Sequence, residues 1–126
     1  MSDVVLDSSA VLALLHAEAG ADAVAAVLPG ALISTVNLAE VVAKLMERGV
    51  PIDVVRASLE AIGLDIVDFD PGQAYASGEL RPTTRAAGLS LGDRACLALA
   101  RSRGLAAMSA DSAWARVEDV EVRLIR

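Results

Sequence analysis

Short segments rich in Val, Ile, Leu and Ala alternate along the chain with longer segments of helical periodicity. The short segments are typical of buried strands, and the longer ones of amphipathic helices. This alternation predicts an α/β domain of three layers, in which helices cover both faces of a mainly parallel sheet of four to five strands. The predicted strands are residues 4–7, 31–34, 64–70, 105–109 and 120–124. The predicted helices are residues 9–18, 21–28, 35–48, 51–62, 71–80 and 91–103, with a helical turn at 112–117 and a loop or broken helix at 81–88.

The length of 126 residues corresponds to a single domain, which we place at residues 1–126. Asp3 and Asp7 interrupt the first apolar residues and no basic segment precedes them, so we expect no signal peptide. The longest uncharged stretch, residues 23–39, contains Pro29 and Gly30 and is too short to cross a bilayer. We therefore expect a cytoplasmic protein without a membrane partner.

The composition excludes several kinds of site. A single cysteine, Cys96, allows neither an internal disulfide nor a multi-cysteine zinc site, and we expect it to be a small buried side chain. Three aromatic residues are too few for base stacking on an aromatic platform. The net charge of −6 is unusual for a nucleic-acid-binding protein. Arg81, Arg85 and Arg94 could still form a local basic rim that steers phosphates, and a solvated mixed surface is the alternative.

Four acidic residues lie at the edges of apolar segments: Asp7, Glu40, Asp93 and Asp111. Asp7 and Asp111 follow predicted strands, whereas Glu40 and Asp93 lie in the first turns of predicted helices. In parallel sheets, ligands bind beyond the carboxyl ends of the strands. We therefore expect all four carboxylates to meet at this edge, although they span 105 positions of the sequence.

Each acid also has a simpler interpretation. Asp7 or Asp111 could cap the helix that follows it, and Asp93 could complement a helix dipole. Glu40 belongs to a polar stripe with Asn37, Lys44 and Arg48, which is typical of a solvated helix face with a Glu40–Lys44 ion pair.

If the four carboxylates converge, their mutual repulsion must be relieved. Two carboxylates about 6 Å apart repel by roughly 3 kcal/mol at an effective dielectric constant near 20. Four of them form six pairs, so the fully ionised cluster could cost on the order of 15 kcal/mol, which is comparable to the stability of a domain. Either the cluster takes up protons or it binds a divalent cation. Oxygen ligands alone favour Mg²⁺ or Mn²⁺.

The segments that carry the acids resemble the PIN-domain nucleases, in particular the VapC-type toxins of bacterial type II toxin–antitoxin pairs. The resemblance runs over nearly the whole chain, and the order and spacing of its blocks carry it. The blocks are residues 5–10, 37–41, 89–100 and 109–114.

The resemblance implies a PIN-like fold in which Asp7, Glu40, Asp93 and Asp111 are the metal-site acids and Ser9 steadies the site. Ser109 stands where the family often has Thr and keeps the hydroxyl group. The implied activity is Mg²⁺- or Mn²⁺-dependent endoribonuclease cleavage of RNA, which leaves a 5′-phosphate and a 3′-hydroxyl. The implied partners are a second copy of the chain and an antitoxin whose C-terminal segment lies across the active-site groove.

Two alternatives stay open from the sequence. One is a catalytically silent PIN-like module that binds RNA or protein, and the other is a housekeeping RNA-processing nuclease without an antitoxin. Apolar residues of the third and fourth helices suit either self-association and antitoxin contact or the core. They are Val41, Val42, Leu45, Val54, Val55 and Leu59.

Overall fold

The computed structural model describes residues 4–126. The first three positions of the predicted domain, which include Asp3, therefore lie outside the described residues. Five strands form one sheet in the order β3-β2-β1-β4-β5, and all neighbours are parallel. The strands are β1 (Val4–Leu6), β2 (Leu32–Ser34), β3 (Asp65–Val67), β4 (Ala106–Ser109) and β5 (Val122–Leu124). The helices are α1 (Ser8–Leu15), α2 (Ala21–Val27), α3 (Thr35–Glu47), α4 (Ile52–Ile62), α5 (Pro71–Glu79), α6 (Arg81–Thr84) and α7 (Leu91–Arg103), with a 3₁₀ helix at Ser112–Arg116.

Successive residues of the central strands point to opposite faces of the sheet and build two cores. Val4 and Leu6 face a core completed by α1, α2, α3 and α4, whereas Val5 faces a core completed by α7 and the 3₁₀ helix. Both faces of β1 are therefore buried, which explains its continuous apolar sequence. The predicted three-layer α/β fold is confirmed, and the sheet is wholly parallel.

The structure corrects some predicted boundaries. The first helix ends at Leu15 and not near residue 18, because Ala17 takes a positive φ of 52° and turns the chain towards α2. The third strand ends at Val67, because the amide of Phe69 donates to Thr35 Oγ1 and Asp70 caps α5. A single helical turn, α6, lies within residues 81–88.

The sequence left open whether the apolar residues of α3 and α4 belong to the core or to a contact surface, and the structure shows some of each. Val41, Leu45 and Val55 are buried core, whereas Val54 is 48% exposed. Val42 and Leu59 are partly buried and also line a surface groove. None of the helices between Val4 and Arg126 is long and apolar enough to cross a membrane.

Candidate active site

Asp7 lies at the carboxyl end of the central strand β1 and is 2% exposed. Its backbone amide donates to the carbonyl of Met108 in β4, which fixes the residue between the two strands. Asp7 is the N-cap residue of α1 by position, but its side chain makes no capping hydrogen bond. The carboxylate instead accepts hydrogen bonds from Ser9 Oγ at 2.7 Å and Ser109 Oγ at 3.1 Å. The capping interpretation is therefore wrong for this side chain.

Burial raises the pKa of Asp7 from 3.8 to about 6. The hydrogen bonds from Ser9 and Ser109 oppose the increase, whereas repulsion from Asp93 adds to it. The chain thus keeps a carboxyl group in a poorly solvated position beside another acid, although an ionised carboxylate is costly there.

Asn37 connects the acids of β1 and α3. Its side-chain amide donates to Glu40 Oε1 at 3.0 Å and to Asp7 Oδ1 at 3.4 Å, so two carboxylates share one donor. Glu40 is half-buried. The ion pairs formed by residues 4–126 are Arg101–Glu79, Arg123–Glu121 and Arg126–Glu18, so Glu40 does not pair with Lys44.

The first turn of α7 lies against Glu40. A Cβ atom on Gly92 would overlap the Glu40 carboxylate, and the carbonyl of Gly92 accepts a hydrogen bond from Asn37 Nδ2 at 3.0 Å. The next residue, Asp93, forms a capping box with Ser90: Ser90 N donates to Asp93 Oδ2 at 2.8 Å, and Asp93 N donates to Ser90 Oγ at 3.2 Å. One oxygen of Asp93 therefore stabilises the helix end.

Two hydroxyl groups link Asp7 to Asp111. Ser9 Oγ accepts a hydrogen bond from the amide of Ala110, and Ser109 Oγ accepts one from the amide of Asp111, both at 3.0 Å. Asp111 itself is exposed, and its carboxylate caps the 3₁₀ helix by accepting from Ala113 N at 2.9 Å. The structure thus holds Asp111 at the same edge through hydroxyl groups, while its carboxylate makes the capping bond that the simpler interpretation predicts.

Three of the predicted acids, Asp7, Asp93 and Glu40, lie close enough to Cys96 for their charges to affect the pKa of its thiol. Cys96 is fully buried in α7, and its pKa is raised by burial and by the negative charges of Asp7, Asp93 and Glu40. As they stand, no three His, Cys, Asp or Glu side chains within residues 4–126 lie close enough together to hold a metal ion. The structure therefore gathers Asp7, Glu40 and Asp93 around one region without closing them into a compact cage.

Comparison with protein families decides the identity of the fold: residues 4–120 match the sequence model of the PIN domain. The chain belongs to the PIN-domain family. The resemblance inferred from the four acidic segments is thereby confirmed. A comparison with curated protein sequences gave no significant match.

Solved structures with toxin–antitoxin names share the fold of this PIN domain. It is similar to a toxin–antitoxin complex from Klebsiella pneumoniae, with 21% identity, 98% of each chain covered and a TM-score of 0.77. It is also similar to a DNA-bound VapBC from Salmonella typhimurium, with 18% identity, 100% of each chain covered and a TM-score of 0.76. A member of the VapBC family from Mycobacterium tuberculosis has 21% identity, coverage of 97% and 98%, and a TM-score of 0.63.

The residues of this PIN domain fit a hydrated divalent cation. Mg²⁺ keeps several waters and is usually bound through one or two carboxylates, so a compact cage is not required. All the side chains at this edge that could act as ligands offer oxygen. The carboxylates of Asp7 and Glu40 already share the Asn37 amide group, and a cation would relieve the repulsion between Asp7 and Asp93.

The three arginines predicted to form a basic rim differ in their exposure to solvent. Arg94 is half-buried and donates to the carbonyl of Ser77 in α5 at 3.2 Å, so its guanidinium group is directed into the fold. Arg81 and Arg85 are exposed, and Arg81 Nη1 lies 3.5 Å from the carbonyl of Leu89. Phosphate steering by these arginines stays a prediction.

The site of the PIN domain includes two residues that the sequence did not single out, Asn37 and Ser90. The polar stripe that contains Asn37 is typical of a solvated helix face, yet Asn37 is fully buried. Asparagine is unfavourable inside helices unless its side chain has a specific partner, and this is the signal that could have identified it. Ser90 is recognisable as the N-cap three residues before Asp93.

Proposed function

We propose that this PIN domain is a divalent-metal-dependent endoribonuclease and the toxin of a toxin–antitoxin pair. The observation that carries the proposal is the buried carboxylate of Asp7, which is repelled by Asp93 and shares the amide of Asn37 with Glu40 at the carboxyl edge of the sheet. A poorly solvated acid of this kind is typical of functional sites. Structures with the same fold have toxin–antitoxin names, which supports the biological role.

Asp7, Asp93, Asp111 and Glu40 would hold Mg²⁺ or Mn²⁺, which supplies polarisation of the phosphodiester and a lowered pKa of a bound water. Ser9 and Ser109 would keep the Asp7 carboxylate orientated through their hydroxyl groups. The cation would also give phosphate oxygens a ligand position in an acidic pocket, which would let a protein with a net charge of −6 bind RNA there.

The first prediction tests the acids. Asp7→Asn and Asp93→Asn should each reduce Mg²⁺-dependent cleavage of RNA by at least about 100-fold, because each removes a charged ligand. Cleavage of a labelled RNA by purified protein measures the loss, and EDTA should abolish the wild-type activity.

Asp53→Asn is the matched control, because Asp53 also lies in the first turn of a helix but is exposed and belongs to α4. Its activity should equal that of the wild type. Cleavage that survives EDTA, or both site substitutions, would show that the proposed site is wrong.

Expression in a bacterial host separates the toxin from the alternatives. The wild type should arrest growth and Asp7→Asn should not. Wild-type cleavage without growth arrest would favour a housekeeping nuclease, whereas no cleavage by well-folded wild-type protein would favour a catalytically silent binding module.

We also propose that an antitoxin segment docks in the groove between α3, α4 and β3, here called the α3–α4 groove. The groove has a volume of about 530 Å³ and is lined mainly by aliphatic side chains. Ile52 and Ile66 on its walls are 44% and 55% exposed. Exposed apolar grooves of this kind are typical sites for amphipathic helices. The homodimer, the usual state that the resemblance implies, is a separate proposal.

A further inference from the structure

Asn37 joins the three elements that carry the buried part of the site. Its Nδ2 atom lies 3.4 Å from Asp7 Oδ1 after β1, 3.0 Å from Glu40 Oε1 in α3 and 3.0 Å from the Gly92 carbonyl in α7. We propose that Asn37 is a positioning residue that holds Glu40 and the first turn of α7, beside Asp7, in the arrangement that a divalent cation binds. This inference rests on the proposed metal-dependent function.

The count of hydrogens explains why Asn37 can do this without obstructing a cation. An amide nitrogen carries two hydrogens, and here it faces three oxygen acceptors. The two shorter contacts, to Glu40 and the Gly92 carbonyl, are enough to use both hydrogens. The longer contact to Asp7 can therefore be given up when that carboxylate turns towards a cation.

The oxygen atom of the Asn37 amide indicates that the orientation of this side chain is set by the site and not by the fold alone. Asn37 Oδ1 is buried and has no hydrogen-bond partner. A buried acceptor without a partner is unfavourable, and a side chain that served only the fold would be expected to use both of its polar atoms. Asn37 instead directs its donor at three site oxygens, including the carbonyl one residue before Asp93.

The consequence concerns metal affinity more than the chemical step. Without Asn37, Glu40 loses its donor and the link between α3 and α7 is removed, so cation binding must order these groups itself. Residues that orientate metal ligands typically change metal affinity by about 10- to 100-fold when they are removed.

The experiment measures Mn²⁺ binding to the RNA-free protein by titration, for the wild type, Asn37→Ala and Asn37→Ser. The Kd should rise about 10-fold or more for Asn37→Ala and by less for Asn37→Ser, because serine retains one donor. At saturating Mn²⁺ the kcat for RNA cleavage should fall by no more than about threefold, while the Mn²⁺ concentration that gives half-maximal activity rises with the Kd. If Asn37→Ala does not fold, Asn37→Ser still gives the test.

Thr84→Ala is the control for a general loss of stability, since Thr84 is also a buried polar residue and its hydroxyl group donates to the Leu80 carbonyl at 2.7 Å. It should lower stability without changing the Kd for Mn²⁺. A wild-type Kd in both Asn37 variants would overturn the inference and leave a purely structural role. Failure of the wild type to bind Mn²⁺ would instead overturn the proposed function, and this inference with it.

Discussion

Asp7 gives the site a pH dependence that stability measurements can detect. The pKa of Asp7 is raised from 3.8 to about 6 by burial, so the folded protein retains a proton that the unfolded chain releases between these pH values. The contribution of Asp7 to stability is complete below about pH 4 and is lost as the pH rises through about 6. This difference in pKa corresponds to roughly 3 kcal/mol of unfolding free energy.

We therefore predict that the metal-free wild type loses stability between about pH 4 and pH 6 relative to Asp7→Asn, which lacks this titration. Urea unfolding in EDTA, followed by the fluorescence of the buried Trp114, measures both proteins. Mn²⁺ should stabilise the wild type more at pH 7 than at pH 5, because the proton competes with the cation. Parallel pH profiles of wild type and Asp7→Asn would contradict the prediction.

At the residue scale, the sequence predicts the location of a side chain when that location depends only on where the residue lies along a strand or helix. Asp7 follows an apolar strand, so its place at the carboxyl edge could be predicted before any contact was known. The burial of Asn37 could not be predicted in this way, because it depends on the packing of α7 across α3. A polar stripe alone does not reveal which neighbouring element covers a residue. The missing Glu40–Lys44 ion pair has the same origin, since Glu40 is directed at Gly92.

The close approach of α3 and α7 depends on the absence of a side chain at Gly92. A Cβ atom there would overlap the Glu40 carboxylate. Alanine in place of a helical glycine would by itself stabilise the helix by about 0.5–1 kcal/mol. In Gly92→Ala, the displacement of Glu40 from Asn37 opposes that gain. We predict a net change in unfolding free energy within about 1 kcal/mol, but a loss of RNA cleavage of roughly 10-fold or more, by the same reasoning as for other residues that orientate metal ligands.

Gly78→Ala is the matched control, because Gly78 is also helical and a Cβ atom there meets nothing within 4 Å. It should raise stability and leave cleavage unchanged. If Gly92→Ala acts through Glu40, the double variant Gly92→Ala with Glu40→Gln should be no less active than Glu40→Gln alone. Full activity of Gly92→Ala would show that the position of the Glu40 carboxylate is unimportant.

At the element scale, most helix and strand ends follow from local signals, whereas the ends of α1 and β3 do not. The end of α7 at Gly104, with φ of +64°, follows from the preference of a left-handed cap for glycine. The shortening of β3 depends on Thr35 of a distant element, whose hydroxyl group takes the amide of Phe69. A local pattern cannot reveal such a tertiary partner.

At the scale of the whole molecule, the acidic edge and the α3–α4 groove are built from different faces of α3. Asn37 and Glu40 belong to the site, whereas Leu38 and Val42 line the groove. A partner in the groove therefore contacts the helix that carries one of the proposed metal ligands.

The last prediction tests that partner surface. Ile52→Glu and Ile66→Glu place a charge on the exposed wall of the α3–α4 groove, and each should weaken binding of the antitoxin by about 10-fold or more, because an apolar contact is replaced by a charge that must be desolvated. Where a short reading frame for a small DNA-binding protein precedes the gene, its product is the partner to purify, and calorimetry of the pair measures the Kd. Ile52 begins α4, where a carboxylate also favours the helix dipole, so Ile52→Glu should retain the fold.

Tyr75→Glu is the matched control, because Tyr75 is 77% exposed on α5, away from the groove residues of α3, α4 and β3. It should bind the antitoxin like the wild type. All three variants should also cleave RNA at the wild-type rate, since none lies among the acids, and the two groove variants should resist inhibition by the antitoxin. Equal binding by all three would exclude the groove as the antitoxin site. A change in oligomeric state confined to the groove variants, with antitoxin affinity unchanged, would assign the groove to contact between two copies of the chain.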